Sequence, residues 1–280
     1  MLFAGSMVQT SALTHESDRE LLGPIAMLFE IASAIYDRLA VAVAAGVLGL
    51  MVATVAVQVF ARYVLGHPLT WTEELATWLF GIVIFVGATV SIRHDEAPAL
   101  RVLVDRLPPA AGETLESTTE VLALAISLAI LWNDALASQA MMTARTPAIQ
   151  IPSGIPLLVL PFAGLGLSLH YAAKISRRTT GPAGVARLGT GVVVCAAAIV
   201  LAGKVPMSLA PAALFGTIVA GFGIGLPVAL VLTGAVIVTL LGQGGQSLLI
   251  VPETLFTGSS NFILMAVPFF MLTGSIMQRG

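Results

Sequence analysis

The sequence predicts an all-α, polytopic transmembrane protein with about six or seven membrane-spanning segments and its N-terminus in the cytoplasm. Three observations carry this expectation. Of the 280 residues, 57% are hydrophobic and only 10% are charged, with a mean hydropathy of +0.97, whereas soluble domains carry roughly 25% charged residues. The charges are spaced to leave uncharged stretches near the roughly 20 residues a helix needs to cross a bilayer core about 30 Å thick. The basic residues are also lopsided. Arg19, Arg38, Arg93, Arg101, Arg106, Lys174, Arg177, Arg178 and Arg187 fall on one side of the implied membrane, and only Arg62, Arg145 and Lys204 on the other. By the positive-inside rule the richer side is cytoplasmic.

Residues 1–23 have no basic region ahead of an apolar core, so they read as a disordered tail rather than a signal peptide. Ile25, Leu28, Phe29, Ala32, Ile35 and Leu39 recur at helical spacing opposite Glu30, Ser33 and Asp37. That pattern fits a helix lying on the membrane surface or, equally, a lead-in to the first span. Leu39 to Ala61 is the first crossing and Leu75 to Ile92 the second. Ser117 to Met142 is the third, although it holds Glu120 and Asp134. Ile151 to Ala173 is the fourth, with Pro152, Pro156 and Pro161 at its entrance or at a kink.

The stretch T-T-G-P-A-G-V-A between Arg178 and Arg187 is a linker signal. After it Leu188 to Gly203 makes a short fifth span, with Arg187 and Lys204 able to snorkel at its ends. From Val205 to Gln278 the only charge is Glu253, and glycine-rich stretches at 221–227, 242–246 and 258–261 interrupt the apolar run. These predict broken helices of the kind that line transporter cavities, or glycine-rich helices packed closely on neighbours. The resulting organisation is a tail at 1–23, a four-helix module at 24–178, a linker with connecting helix at 179–204, and a second module from 205 to 280.

A net charge of −2 without a basic stripe gives no reason to expect nucleic acid as a partner. Cys195 stands alone in an apolar run, so no disulfide framework is expected. No phosphate loop, nucleophile turn or H-E-x-x-H helix is present. His15, His67, His94 and His170 are far apart in tails or at span ends, where solvated histidines are the expectation. Catalytic and metal sites are therefore expected to be absent. In the outer loop at 61–76, Thr70 and Glu73 fit a capping box for the second span, and Tyr63 and Trp71 fit an interfacial belt. Alternatively, Arg62 pairs with Glu73 or Glu74 across the first two helices, so Arg62, Trp71, Glu73 and Glu74 are candidate structural or subunit contacts. Asp134 lies at the outer interface if the third span starts near Leu115, and well inside if it starts near Val121.

R-Y-V-L-G-H-P-L-T-W-T-E-E-L-A-T-W-L-F at 62–80 resembles the signature of the small membrane subunit of tripartite ATP-independent periplasmic (TRAP) transporters, between its first two spans. T-P-A-I-Q-I-P-S-G-I-P-L-L-V-L-P at 146–161 resembles the approach to that subunit's fourth span. G-I-G-L-P-V-A-L at 223–230 and the run from Leu255 to Gly280 resemble the opening of the large subunit. Two departures stand out: Asp95 and Ala97, where a Gly and a His are usual after the second span, and Asn261, where a small hydroxyl residue is more common. The resemblance implies that Leu188 to Gly203 is the extra helix of fused versions, and that the chain is a truncated piece of a longer permease.

The resemblance further implies a multi-pass protein of the bacterial inner membrane that imports an organic anion, commonly a carboxylate. The coupling ion would be Na⁺, with no other cofactor. Partners would be the lipid bilayer, a periplasmic solute-binding protein and the remainder of the large subunit. Gly258, Ser259, Ser260 and Asn261 are then candidates for substrate or ion binding, although the same residues suit an ordinary helix cap. A competing expectation is a purely structural module that supports a separate permease. A membrane-embedded enzyme is the third, with no nucleophile–base pair to favour it.

Overall fold

The structure, a computed structural model, describes residues 24–94, 96, 106–179, 182–202, 204, 207–242, 248–259 and 262–279. The tail expected at 1–23 lies outside the described residues. Ten α-helices account for nearly all of the described chain. They are α1 (Pro24–Tyr63), α2 (Thr70–Arg93), α3 (Pro109–Ala140), the single turn α4 (Gly154–Leu157), α5 (Val159–Arg178), α6 (Pro182–Ala202), α7 (Ala210–Gly223), α8 (Val228–Gly242), α9 (Ile250–Ser259) and α10 (Phe262–Arg279).

Five helical stretches are long and apolar enough to cross a membrane, and a sixth is added if α9 and α10 form one bent span. Helices α7 and α8, of 14 and 15 residues, reach only ~22 Å at 1.5 Å per residue, short of the bilayer core. They pack against each other as a hairpin. Its turn places Gly225 at φ +83°, and Gly221 lies closely against Val231.

Helix α1 runs uninterrupted for 40 residues, about 60 Å at 1.5 Å per residue, so the early amphipathic segment is the lead-in to the first span. Its polarity is the reverse of a soluble helix. Leu28, Ile35 and Leu39 face outward at 66%, 62% and 51% exposure, while Ser33 is fully buried. Apolar side chains meet lipid without penalty; the polar stripe turns inward because only there can it find partners.

Helix α5 sits at the centre of the first module, packed on α1, α2 and α3, and is the most buried of the candidate spans. Gly164 makes this possible on one side: a Cβ there would lie 2.9 Å from the Cα and N of Leu131 on α3. Gly166 lets the Tyr36 ring of α1 lie against the other. The Tyr36 hydroxyl donates to the Phe162 carbonyl at 3.0 Å. Pro156 and Pro161 fall at the break between α4 and the first turn of α5, where missing N–H groups leave no gap in the ladder.

The linker is shorter than the sequence suggested, because α6 already begins at Pro182. Proline suits a first helical turn. Helix α6 touches α3 through Gly191 against Thr118 and Val121, while Val192, Val193, Val200 and Leu201 stay exposed.

Candidate functional site

The outer loop forms a different set of contacts from the pairing anticipated for it. The N-cap of α2 is Leu69, with no side-chain cap bond, so Thr70 and Glu73 do not build a capping box. The Thr72 hydroxyl instead donates to the Leu69 carbonyl at 2.6 Å. Glu73 accepts from Gln58 Nε2 of α1 at 2.9 Å. Glu74 Oε2 accepts the backbone N–H groups of Ala148 at 2.7 Å and Ile149 at 2.9 Å. Neither carboxylate pairs with Arg62, which has no ion pair among the described residues. The reason is geometric. The turn after α3 presents two N–H groups to Glu74 Oε2, which holds the carboxylate against that turn and away from Arg62. Trp71 and Tyr63 are exposed at 44% and 79%.

At the opposite end of the first module, charges that were read separately come together. Arg93, the last residue of α2, lies 3.6 Å from Glu30 and 3.6 Å from Asp37 of α1, and donates to the Ser33 hydroxyl. Arg177 on α5 donates through Nε to Glu30 at 2.6 Å. Ser33 Oγ is 2.7 Å from Nδ1 of His170, whose ring meets Tyr36 edge-on at 5.5 Å. His170 is buried at 6% exposure, contrary to the solvated span-end histidine expected. Helix α5 continues for two turns beyond it to Arg178. Glu120, which counted against the third span, is buried and paired with Arg178 at 3.0 Å, and Glu116 meets the same guanidinium at 2.9 Å. A guanidinium whose planar fork serves two carboxylates is how such a charge is tolerated near lipid.

Helix α3 joins the two modules. Thr119 Oγ1 lies 2.9 Å from the Ile224 carbonyl in the α7–α8 turn, and Asn133 Nδ2 donates at 2.7 Å to the Leu248 carbonyl ahead of α9. Asp134 is buried at 2% exposure beside a cavity of about 20 Å³ shared with Thr233, Leu248 and Val251. Since α3 runs from Pro109 to Ala140, Asp134 stands ~9 Å from the C-terminal end of its helix, covered by the packed protein around it.

The glycine-rich break near 258 separates α9 from α10, whose axes bend by 48°. Gly258 is exposed with open space around it, and Ser259 Oγ donates to the Phe256 carbonyl at 2.9 Å. Ser260 and Asn261 lie outside the described residues, as do Asp95 and Ala97. The Phe256 ring fills the space over Gly81 of α2, and Met265 of α10 is buried with Met51, Leu79 and Phe80. Among the described residues no group of histidine, cysteine and acidic side chains has metal-ligand geometry.

Helices long and apolar enough to cross a membrane, with charges such as Arg93 and Arg178 paired between them, define a multi-pass membrane protein. Residues 51–181 match the family described as tripartite ATP-independent periplasmic transporters, DctQ component, and residues 215–280 match the DctM component. The chain is 29% identical over 220 residues to the isethionate TRAP transporter permease protein DctMQ of Oleidesulfovibrio alaskensis. That match covers 75% of this chain and 33% of the relative, so the chain spans about a third of that protein's length. It is also 25% identical over 129 residues to a protein of Haemophilus influenzae provisionally named as a TRAP transporter small permease, covering 46% of this chain and 80% of that one. The chain belongs to the TRAP transporter family, with a small-subunit segment followed by the N-terminal part of the large subunit.

Proposed function

We propose that this chain supplies the scaffold and the first part of the mobile permease of a sodium-coupled importer in a bacterial inner membrane. In this reading the importer takes up an organic anion delivered by a periplasmic solute-binding protein. Residues 24–178 form the small-subunit scaffold, 179–204 the connector, and 205–280 the opening of the large subunit. The N-terminus is cytoplasmic. This is supported by the clustering of Arg93, Arg177, Arg178 and Arg187 with their acidic partners at one end of the bundle.

The observation that carries the reading is the α9–α10 pair, two apolar helices bent by 48° and packed on α2 and α3. A helix C-terminus leaves carbonyl oxygens unpaired, and the N-terminus of the next helix leaves N–H groups unpaired. Facing each other across a break, they suit a Na⁺ ion and an anionic group respectively. Gly258, Ser259, Ser260 and Asn261 are the residues assigned to that role. The relative from Oleidesulfovibrio is named for isethionate, so isethionate and small carboxylates are the cargoes to try first.

The test is uptake into proteoliposomes by this chain assembled with the rest of the large subunit and its binding protein. Uptake is expected to stop when the sodium gradient is collapsed and to fall at least tenfold in Asn261→Ala. Uptake independent of sodium would overturn the coupling, and uptake without the binding protein would overturn the tripartite reading.

A further inference from the structure

Helix α3 buries two carboxylates and treats them differently. Glu120 meets the Arg178 guanidinium at 3.0 Å, while Asp134, at 2% exposure, has an Oδ2 that is buried and without a hydrogen-bond partner among the described residues. A carboxylate taken out of water with nothing to balance it is too costly to persist as an anion, and no basic side chain lines the cavity of about 20 Å³ beside it. The other polar side chains at that cavity offer oxygen. Asn133 is fixed by its Nδ2, which donates to the Leu248 carbonyl at 2.7 Å; a carbonyl only accepts, so the amide cannot turn over and Oδ1 remains an acceptor. Thr217 and Thr239 return their hydroxyls to the carbonyls of Ala213 and Ala235 four residues back. Thr233, which lines the cavity from α8, makes no such bond among the described residues.

We propose that this cavity binds one small monovalent cation of the size of sodium, held by the side-chain oxygens of Asp134, Thr233 and Asn133 between α3 of the small-subunit segment and α8 of the large-subunit segment. One carboxylate balances one positive charge, whereas a divalent ion would leave a buried charge uncompensated. Carboxylate, hydroxyl and amide oxygens are hard donors and suit such an ion. A space this small admits one water-sized particle and excludes organic cations. A proton would cancel the charge but leave the lining oxygens and the space between them unused; a small ion meets all three. None of these ligands belongs to the α9–α10 break, so the site stands or falls separately from the coupling assigned there. Because it joins residues of both modules, its ion fastens the opening of the permease to the scaffold.

The experiment uses the purified chain in detergent, carrying Asn261→Ala to weaken any ion held at the α9–α10 break. It is melted in sodium chloride and in N-methyl-D-glucamine chloride of equal concentration, which holds the ionic strength constant. Sodium at about ten times its half-saturating concentration is expected to raise the melting temperature by roughly 3–6 °C. Asp134→Asn, which keeps the shape and removes the charge, should lose that rise and melt above its parent when sodium is absent. Thr233→Val should raise the half-saturating sodium concentration about fivefold, and it guards against a folding defect in the asparagine variant. No rise with sodium over glucamine, or a rise unchanged in both Asp134→Asn and Thr233→Val, overturns the proposal. A melting temperature that follows pH between about 5 and 8 instead of sodium, and no longer does so in Asp134→Asn, assigns the neutralising role to a proton and overturns it equally.

Discussion

Replacing Gly164 with alanine adds one methyl group at the closest approach of α5 to α3. The new Cβ would sit 2.9 Å from both Cα and N of Leu131 and 3.2 Å from its Cβ. Carbon atoms rest ~3.5–4.0 Å apart, so the two backbones must separate by roughly 0.6–1 Å. The opposing atoms are backbone and have no rotamer to escape into, and overpacking of this kind costs ~1–3 kcal/mol. Alanine recovers ~0.5–1 kcal/mol of helix propensity over glycine, so at the middle of these ranges the net loss is ~1.25 kcal/mol. At ~2–4 °C per kcal/mol the melting temperature falls by roughly 2.5–5 °C. Gly46 on α1, with nothing within 4 Å of its would-be Cβ, keeps only the propensity gain, so the melting temperature of Gly46→Ala should rise by roughly 1–4 °C. Thermal unfolding followed by tryptophan fluorescence in one detergent compares the two. The packing argument is refuted if Gly164→Ala melts at or above the parent, or if both variants shift the same way.

Two other expectations follow from the same geometry. Glu74→Ala removes the acceptor shared by the Ala148 and Ile149 N–H groups; the turn over 144–153 should loosen by ~1–3 kcal/mol, read as hydrogen exchange at least tenfold faster there, with exchange elsewhere in α5 unchanged. With Cys195 replaced by serine, a cysteine at Ala183 should react with an impermeant maleimide only from the cytoplasmic side. Labelling of intact spheroplasts from outside would contradict the proposed orientation.

The helical, lipid-embedded fold was legible because its cause is local. Uncharged runs such as 39–61 and 75–92 have no other stable home, and α1 and α2 contain them. The breaks near 225 and 258 were equally visible as glycine clusters. What the sequence could not show was which way a polar stripe turns. Glu30, Ser33 and Asp37 looked like a solvated face, yet they point inward, because Arg93 and His170 arrive from helices 60 and 137 positions away. The same holds for Glu120 and Arg178. Glu74 was picked out as a contact residue, but its partners are backbone N–H groups more than 70 residues on, which no side-chain pattern announces. A single clue was available: three polar residues at i, i+3 and i+7 beside an otherwise apolar helix ask for partners within the bundle.

The link between the two modules is close-coupled. Helix α5 ends at Arg178 and α6 begins at Pro182, and α6 lies directly along α3, which also grips Ile224 and Leu248. Two polypeptides meeting by diffusion in the bilayer would have to find this register anew and could be made in unequal amounts. A tether this short holds the second partner at an effective concentration on the order of millimolar and fixes the ratio at one to one, so assembly becomes a folding step that requires no encounter between separate chains.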